Sequence, residues 1–208
     1  MKRVVTAQVQ SQKLVSDRRG RIIRAAISVF HRQGYHSTTT GDIAREAGLT
    51  QSNLYNYVKS KQDVLFLVCD ELVGTYGKLV DAVCEEFTDP YSRLVESLKA
   101  VIGAMSEFRD EVQLLYNETH SLEKPDRVIV MASISGFISR FENLLSEYAD
   151  AHKVAVSDMR LAANLVSFVP AIVALRSWDL AQHNSSGHED EIVEFVLRGL
   201  GLPVPNTT

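Results

Sequence analysis

The chain has 208 residues, of which 45% are hydrophobic and 23% are charged, and this balance predicts a globular protein of one large or two small domains. Its two cysteines, Cys69 and Cys84, lie inside apolar helical patterns, which excludes a disulfide-rich scaffold and favours a reducing cytoplasm. The first residues lack the apolar run of a signal peptide, and no segment is expected to cross a membrane.

The net charge of −4 conceals an asymmetry along the chain. Residues 1–65 hold eleven Lys and Arg against four Asp and Glu, a net charge of +7, whereas residues 66–208 hold eleven against twenty-two, a net charge of −11. Because phosphates respond to local charge, the basic N-terminal third is the expected contact with nucleic acid.

Five prolines and eleven glycines, mostly near the ends of periodic apolar runs, predict an all-α fold of about nine helices. Residues 1–17 are polar and aperiodic, and we expect a flexible arm there, either touching DNA or simply disordered. The first helix is predicted over residues 21–33, where apolar residues recur at helical spacing until Gly34 ends the pattern.

Residues 38–61 are the most informative stretch, because they read as two short helices joined by a tight turn. The first helix is predicted to begin at Thr40 or Gly41, and Gly48 ends it, since glycine enters a left-handed conformation without steric cost. The spacing of Ala44, Gly48 and Leu54 is that of a helix-turn-helix.

The second of these helices, predicted over 51–57 with Thr50 as its N-cap, carries amides and hydroxyls but neither Lys nor Glu. Amides can pair with adenine in a major groove, while hydroxyls and lysines hold phosphates. The candidate DNA-binding residues are Thr38, Thr39, Thr40, Thr50, Gln51, Ser52, Asn53, Tyr55, Asn56, Tyr57, Lys59 and Lys61. The competing interpretation is a helix-turn-helix used only for packing.

The chain resembles the N-terminal domain of the TetR family of transcriptional repressors in Gly34-Tyr35, Thr38-Thr39-Thr40, Asp42-Ile43-Ala44, Ala47-Gly48-Leu49-Thr50, Leu54-Tyr55-Asn56-Tyr57 and Ser60-Lys61. The resemblance covers residues 19–72. It implies a three-helix DNA-binding domain over 18–65, a helical ligand-binding and dimerisation domain over 66–208, and a homodimer that binds a palindromic operator. Gly41 and Val58 depart from the family pattern at positions expected in the core.

Beyond residue 60 the periodicity predicts helices over 60–83, 91–108, 109–121, 124–152, 156–180 and 189–200, with a kink at Pro170 and a loop over 182–188. Between residues 161 and 175 only Asn164 and Ser167 are polar. A helix that is apolar all round must be covered on every side, so we expect the last two helices to pair with those of a second copy. The expected interface residues are Leu161, Leu165, Val169, Ile172, Ile192, Phe195 and Val196.

Residues 112–122 and 174–180 resemble TetR-type regulators of fatty-acid and steroid catabolism, whose effectors are acyl-coenzyme A thioesters. The resemblance implies cationic contacts to phosphate from Arg109 or Arg176 and an acyl tunnel lined by aromatic residues. The candidate ligand-binding residues are Met105, Phe108, Arg109, Gln113, Tyr116, Asn117, His120, Phe137, Phe141, Phe168, Arg176 and Trp178. Two alternatives are open: a planar hydrophobic drug as effector, or ordinary core and solvent-facing roles for these residues.

An enzyme is the main alternative class of function. Its ingredients would be His120 with Glu118 or Glu123, or Cys84 with a histidine, but no nucleophile elbow, phosphate loop or metal-ligand spacing accompanies them. We therefore expect no catalytic residues, metal or cofactor. A ligand-independent DNA-binding factor is a third possibility, which an effector pocket of ~300–1,000 Å³ would argue against.

Overall fold

The computed structural model describes residues 4–180 and 188–202, and within these ranges it is helical without strands, which confirms the all-α fold. The α-helices are α1 (Val4–Gln33), α2 (Thr40–Glu46), α3 (Gln51–Tyr55), α4 (Lys61–Glu86), α5 (Pro90–Glu107), α6 (Arg109–Glu118), α7 (Lys124–His152), α8 (Met159–Phe168), α9 (Ile172–Leu175), α10 (Ser177–Leu180) and α11 (Glu189–Gly199). Short 3₁₀ turns follow α6 at Thr119–Ser121 and α8 at Val169–Ala171. The loop predicted over 182–188 lies almost wholly outside the described residues.

The chain divides into two compact units. The first comprises Met1–Cys69 together with Leu114–Arg127, and the second comprises Asp70–Gln113 together with Val128–Thr208. The boundary expected between residues 65 and 66 falls inside α4. The inclusion of Leu114–Arg127 in the first unit is a tertiary feature that periodicity along the chain does not reveal.

Helix α1 is longer than the sequence pattern predicts. It begins at Val4, so residues 4–17 are helical where a flexible arm was expected. No glycine or proline interrupts residues 4–19, and a helix that has formed propagates readily through such a stretch. Ile22, Ala26 and Val29 are buried, and the chain leaves the helix at Gly34 with a φ of 81°.

Helix α2 begins at Thr40, one of the two predicted starts, and a capping box precedes it. Thr39 is the N-cap: its hydroxyl accepts a hydrogen bond from the Asp42 N–H at 3.2 Å, and the Asp42 carboxylate accepts one from the Thr39 N–H at 3.0 Å. A capping box needs a hydroxyl residue three positions before the acid, and Thr39 is that residue.

Helix α3 is shorter than predicted. Thr50 caps it as expected, accepting a hydrogen bond from the Asn53 N–H at 3.2 Å, but the α-helix ends at Tyr55. The N–H groups of Asn56 and Tyr57 donate to carbonyls three residues back, so the final turn tightens.

The core of the second unit forms where α5, α9, α11 and the turn Val169–Ala171 pack together. Asp89 caps α5, accepting from the N–H groups of Tyr91 and Ser92, and Pro90 occupies the first helical position. The predicted kink at Pro170 takes the form of the 3₁₀ turn, which separates α8 from α9, and a second break at Arg176 separates α9 from α10.

Among the described helices, α7 alone is long and apolar enough to cross a membrane, with a mean hydropathy of 1.4 over 18 residues. The expectation that no segment approaches a membrane span is therefore wrong on length and composition. The signal is weak, because core helices of soluble proteins pass the same test. Phe141, Leu145 and Tyr148 on this helix are fully buried.

Candidate nucleic-acid and effector sites

Three buried residues and one glycine build the corner of the helix-turn-helix. Ile43, Ala44 and Leu54 are buried between the helices, and Gly48 turns the chain with a φ of 63°. The Arg21 guanidinium of α1 donates to the carbonyl of Ala47 at 2.6 Å. The corner is thus held from both the turn and α1, which fixes where α3 points.

The predicted DNA-binding residues separate into an exposed and a buried set. The exposed residues are Thr39, Thr50, Gln51, Ser52, Asn53, Tyr55, Asn56 and Lys59, and the half-buried ones are Thr40, Tyr57 and Lys61. Thr38 differs from the prediction, because it is 3% exposed and its hydroxyl donates to the Gly34 carbonyl at 2.8 Å. Its side chain closes the turn before α2, so its hydroxyl is engaged within the protein.

Thr40, Gln51 and Tyr55 form a hydrogen-bonded triangle on the exposed side of the helix-turn-helix. The two hydroxyl oxygens are 3.2 Å apart, and the Gln51 amide nitrogen donates to Thr40 at 3.4 Å and to Tyr55 at 3.3 Å. The hydrogen bonds with Thr40 and Gln51 lower the pKa of Tyr55, since they favour its ionised form. The arrangement joins the start of α2 to both ends of α3.

Lys61 has a structural role beyond the predicted phosphate contact. Its ammonium donates to the carbonyls of Tyr35 at 2.7 Å and His36 at 3.0 Å, and it lies 4.5 Å from the centre of the Tyr35 ring. Lys59 keeps its side chain exposed. Lys61, at the start of α4, therefore stabilises the turn after α1 through its two hydrogen bonds.

Arg18 is a residue that the sequence analysis did not select. Its guanidinium donates to the Tyr57 hydroxyl at 2.9 Å, which places a cation beside the C-terminal end of α3. The signal in the sequence was the cluster of arginines at 18, 19, 21 and 24.

The segment Leu114–Arg127 contributes charged contacts to the first unit. The Glu118 carboxylate lies 3.4 Å from the His36 imidazole and accepts a hydrogen bond from the Ser121 hydroxyl at 3.1 Å. Tyr116, Asn117 and His120, predicted to bind ligand, are exposed on this segment.

In the second unit the structure brings some ligand candidates together. Gln113 of α6 donates to the Ala174 carbonyl of α9 at 2.8 Å, so Arg109 and Arg176 lie on adjoining elements, and both are exposed. No acidic partner is recorded for either arginine within the described part of the chain.

The aromatic candidates divide between core and surface. Met105, Phe137 and Phe141 are buried and Phe108 is half-buried, and the two buried phenylalanines meet edge to face at 5.4 Å. Phe168 and Trp178 differ from the prediction of a tunnel lining, because they are 53% and 64% exposed. Phe168 lies two turns after Leu161, which puts it on the outward side of α8.

The expected interface residues are mostly exposed. Leu161, Leu165, Phe168 and Ile172 recur at helical spacing through α8 and α9, and Phe195 of α11 is 68% exposed. We call these five residues the apolar stripe. Val169 and Ile192 are half-buried. Val196 differs from the prediction, since it is 6% exposed and belongs to the core of its own chain.

No three His, Cys, Asp or Glu side chains within residues 4–180 and 188–202 are grouped to hold a metal ion. His120 is exposed, and Cys84 is half-buried with a pKa raised by burial. A thiol in such surroundings is a poor nucleophile, because the thiolate is the reactive form.

Comparisons with known proteins agree with this architecture. Residues 22–68 match the family described as bacterial regulatory proteins, tetR family. Over 201 residues the chain is 31% identical to the HTH-type transcriptional regulator HbdR of Aromatoleum sp. (strain CIB), covering 96% of this chain and 85% of that protein.

Two solved structures show the same fold. A bacterial regulatory protein in the tetR family from Rhodococcus RHA1 has a TM-score of 0.81 and 22% identity, covering 90% of this chain and 98% of that one. AibR, solved in complex with isovaleryl coenzyme A and operator DNA, has a TM-score of 0.73 and 18% identity, covering 90% of this chain and 100% of that one.

Proposed function

Because the chain belongs to the TetR family of transcriptional regulators and is not an enzyme, we propose that it is a homodimeric repressor that leaves its operator when a small hydrophobic effector binds. The observation that carries this proposal is the exposed row of amides and hydroxyls on α3, held by the Thr50 cap and the buried Leu54. Such a helix can enter a major groove, and the cytoplasm is where it meets the operator.

The apolar stripe supports the homodimer. Five large apolar side chains exposed in one chain form a surface that a second copy would remove from water. A two-fold axis pairs the same patch on both subunits. It also places the two helix-turn-helices about 34–36 Å apart, or a multiple of that spacing, on a palindromic operator.

An acyl-CoA thioester is the effector class we favour. The exposed pair Arg109 and Arg176, on elements joined by the Gln113 hydrogen bond, offers cations for the phosphates of coenzyme A. The buried Met105, Phe137 and Phe141 offer apolar surface for an acyl chain. The complex of AibR with isovaleryl coenzyme A shows that a protein of this fold accepts such a ligand.

A planar hydrophobic compound is the second candidate effector. The ring centroids of Tyr76 and Phe137 are 5.9 Å apart, and the Phe137 ring meets the Phe141 ring edge to face. The second unit therefore contains a cluster of aromatic rings. This effector would not need the two arginines. A DNA-binding factor without any effector would respond to neither class of ligand.

The DNA-binding surface is tested by gel shift on an operator selected from random duplexes. We expect Gln51→Ala and Tyr55→Ala to lose about 5- to 150-fold in affinity, since one good base contact provides ~1–3 kcal/mol. Lys78→Ala, an exposed cation of α4 in the second unit, is the matched control and should bind as wild type. Wild-type affinity in both α3 variants would refute the assignment of the recognition helix.

The effector class is tested by thermal shift. A thioester present at 100 times its dissociation constant stabilises the folded protein by ~2.7 kcal/mol and should raise the melting temperature. We expect long acyl-CoAs to act more strongly than free coenzyme A or free fatty acids, and Arg109→Ala and Arg176→Ala to reduce the effect, unlike Lys78→Ala. A shift produced only by aromatic compounds would favour the second candidate, and the absence of any shift would favour an effector-independent factor.

A further inference from the structure

The triangle of Thr40, Gln51 and Tyr55 has a geometry that restricts how Gln51 can meet a base. Its two hydroxyl oxygens are only 3.2 Å apart, and both lie within 3.4 Å of the Gln51 amide nitrogen. Because the two oxygens lie so close together, a single N–H of the amide directed between them reaches both in a three-centre bond.

The rest of the Gln51 amide is left available. A side-chain amide carries two N–H donors and one carbonyl acceptor, so one donor and the acceptor remain. Adenine presents the complementary pair in the major groove, an N6 amino donor beside an N7 acceptor. An amide whose plane is already fixed loses less conformational freedom on binding than a mobile one.

We propose that Thr40 and Tyr55 are positioning residues that orient the Gln51 amide for bidentate readout of one adenine in each operator half-site. This inference rests on the proposed role of α3 and reassigns the two hydroxyls, which the sequence analysis gave to phosphates. Within the described residues, Asn53 and Asn56 have exposed amides without a hydroxyl pair recorded on them. They lack the preorganisation that distinguishes Gln51.

The test measures base preference rather than affinity. Each adenine of the selected operator is replaced in turn by 7-deazaadenine, which lacks N7, or by purine, which lacks the N6 amino group. We expect one adenine per half-site at which wild type is weakened by both analogues, with a total discrimination of about 5- to 150-fold. Gln51→Ala should be indifferent to both analogues at that position.

The positioning role is tested by Thr40→Val and Tyr55→Phe, which remove the hydroxyls and keep the side-chain volumes. We expect each to reduce the preference for adenine at that position severalfold in the wild-type background and to have no effect in the Gln51→Ala background. Thr40→Ser keeps the hydroxyl and should retain the preference. Lys59→Ala is the control for a phosphate contact: it should lower affinity for every base analogue equally and reduce the salt slope by ~1.

Four results would overturn the inference. Full adenine preference in both hydroxyl variants would show that Gln51 needs no positioning. Equal losses in the Gln51→Ala background would show that the hydroxyls contact DNA themselves. Operator binding by wild type without an analogue-sensitive adenine would refute the base assignment and leave the proposed function standing, whereas failure of wild type to bind any duplex would refute both.

Discussion

Thr38 and Thr40 lie two positions apart and have opposite environments. Thr38 is buried and donates to the Gly34 carbonyl, while Thr40 is half-exposed and bonds to Tyr55. A run of three threonines has no apolar residue to mark which one faces inward, so the sequence predicted the same role for all of them. The turn after Gly34 decides which threonine faces inward. Lys61, distant in sequence, holds this turn through the carbonyls of Tyr35 and His36, so the constraint is tertiary.

The corner of the helix-turn-helix gives a prediction for one glycine. In Gly48→Ala the alanine would have to keep the left-handed backbone conformation of Gly48, which costs about 1–2 kcal/mol. Its methyl group would also lie 3.2 Å from the Arg21 guanidinium. We expect the free energy of unfolding, measured by urea denaturation, to fall by about that amount. Gly74→Ala is the matched control: it lies inside α4 with no neighbour within 4 Å and should be neutral or stabilising by up to ~1 kcal/mol. Equal stability of the two variants would contradict this account.

The helices whose ends are fixed by nearby residues, such as a proline, were predicted well. The start of α7 at Lys124 was predicted from its Lys-Pro-Asp sequence and its end at about His152 from apolar periodicity, and the proline break after α8 was located correctly. The helical residues 4–17 and the membership of Leu114–Arg127 in the first unit were not predicted. The first follows from propagation of α1 through a stretch without glycine or proline, and the second from contacts between residues far apart in sequence. Apolar periodicity records neither.

The capping box of α2 predicts a dependence of stability on pH. Hydrogen bonds from the Thr39 hydroxyl and Thr39 N–H hold the pKa of Asp42 below its ordinary value. A depressed native pKa contributes stability that is complete above the unfolded-state value, about 3.9 for aspartate, and that is lost as the pH falls through the native pKa. We therefore expect Asp42→Asn to melt below wild type at pH 7 and the difference to shrink below about pH 4.

Thermal unfolding between pH 7 and pH 3 measures this effect. Asp150→Asn, at the exposed end of α7, is the control for the loss of one surface carboxylate. A difference between wild type and Asp42→Asn that stays constant over this range would show that the carboxylate does not act through its charge.

For the whole molecule, the apolar stripe predicts an oligomeric state. Leu165→Glu or Phe195→Glu places a charge in the proposed interface, and we expect monomers in analytical ultracentrifugation at concentrations where wild type is a dimer, with operator affinity lost as well. Both residues are exposed in the single chain, so its fold should persist. Val128→Glu, at a 60% exposed site of α7 outside the stripe, is the matched control and should remain dimeric. A monomeric wild type would refute the homodimer.

The charge asymmetry along the chain is also a property of the whole molecule. The basic N-terminal third attracts phosphate and the acidic remainder repels it, so the field of each chain favours approach with the helix-turn-helix facing the duplex. The division by charge was visible in the sequence. The division by structure is different, because it assigns part of the acidic remainder to the first unit.

The discontinuity of the first unit has a consequence for the order in which the protein is made. Domains fold as units during synthesis, starting from the N-terminus. This one lacks Leu114–Arg127 until those residues have left the ribosome, long after the helix-turn-helix has emerged. A gene fragment that stops after Cys69 therefore lacks the Glu118 carboxylate that lies 3.4 Å from the His36 imidazole. A chimera that grafts residues 1–69 onto another protein keeps this contact only if it carries Leu114–Arg127 as well.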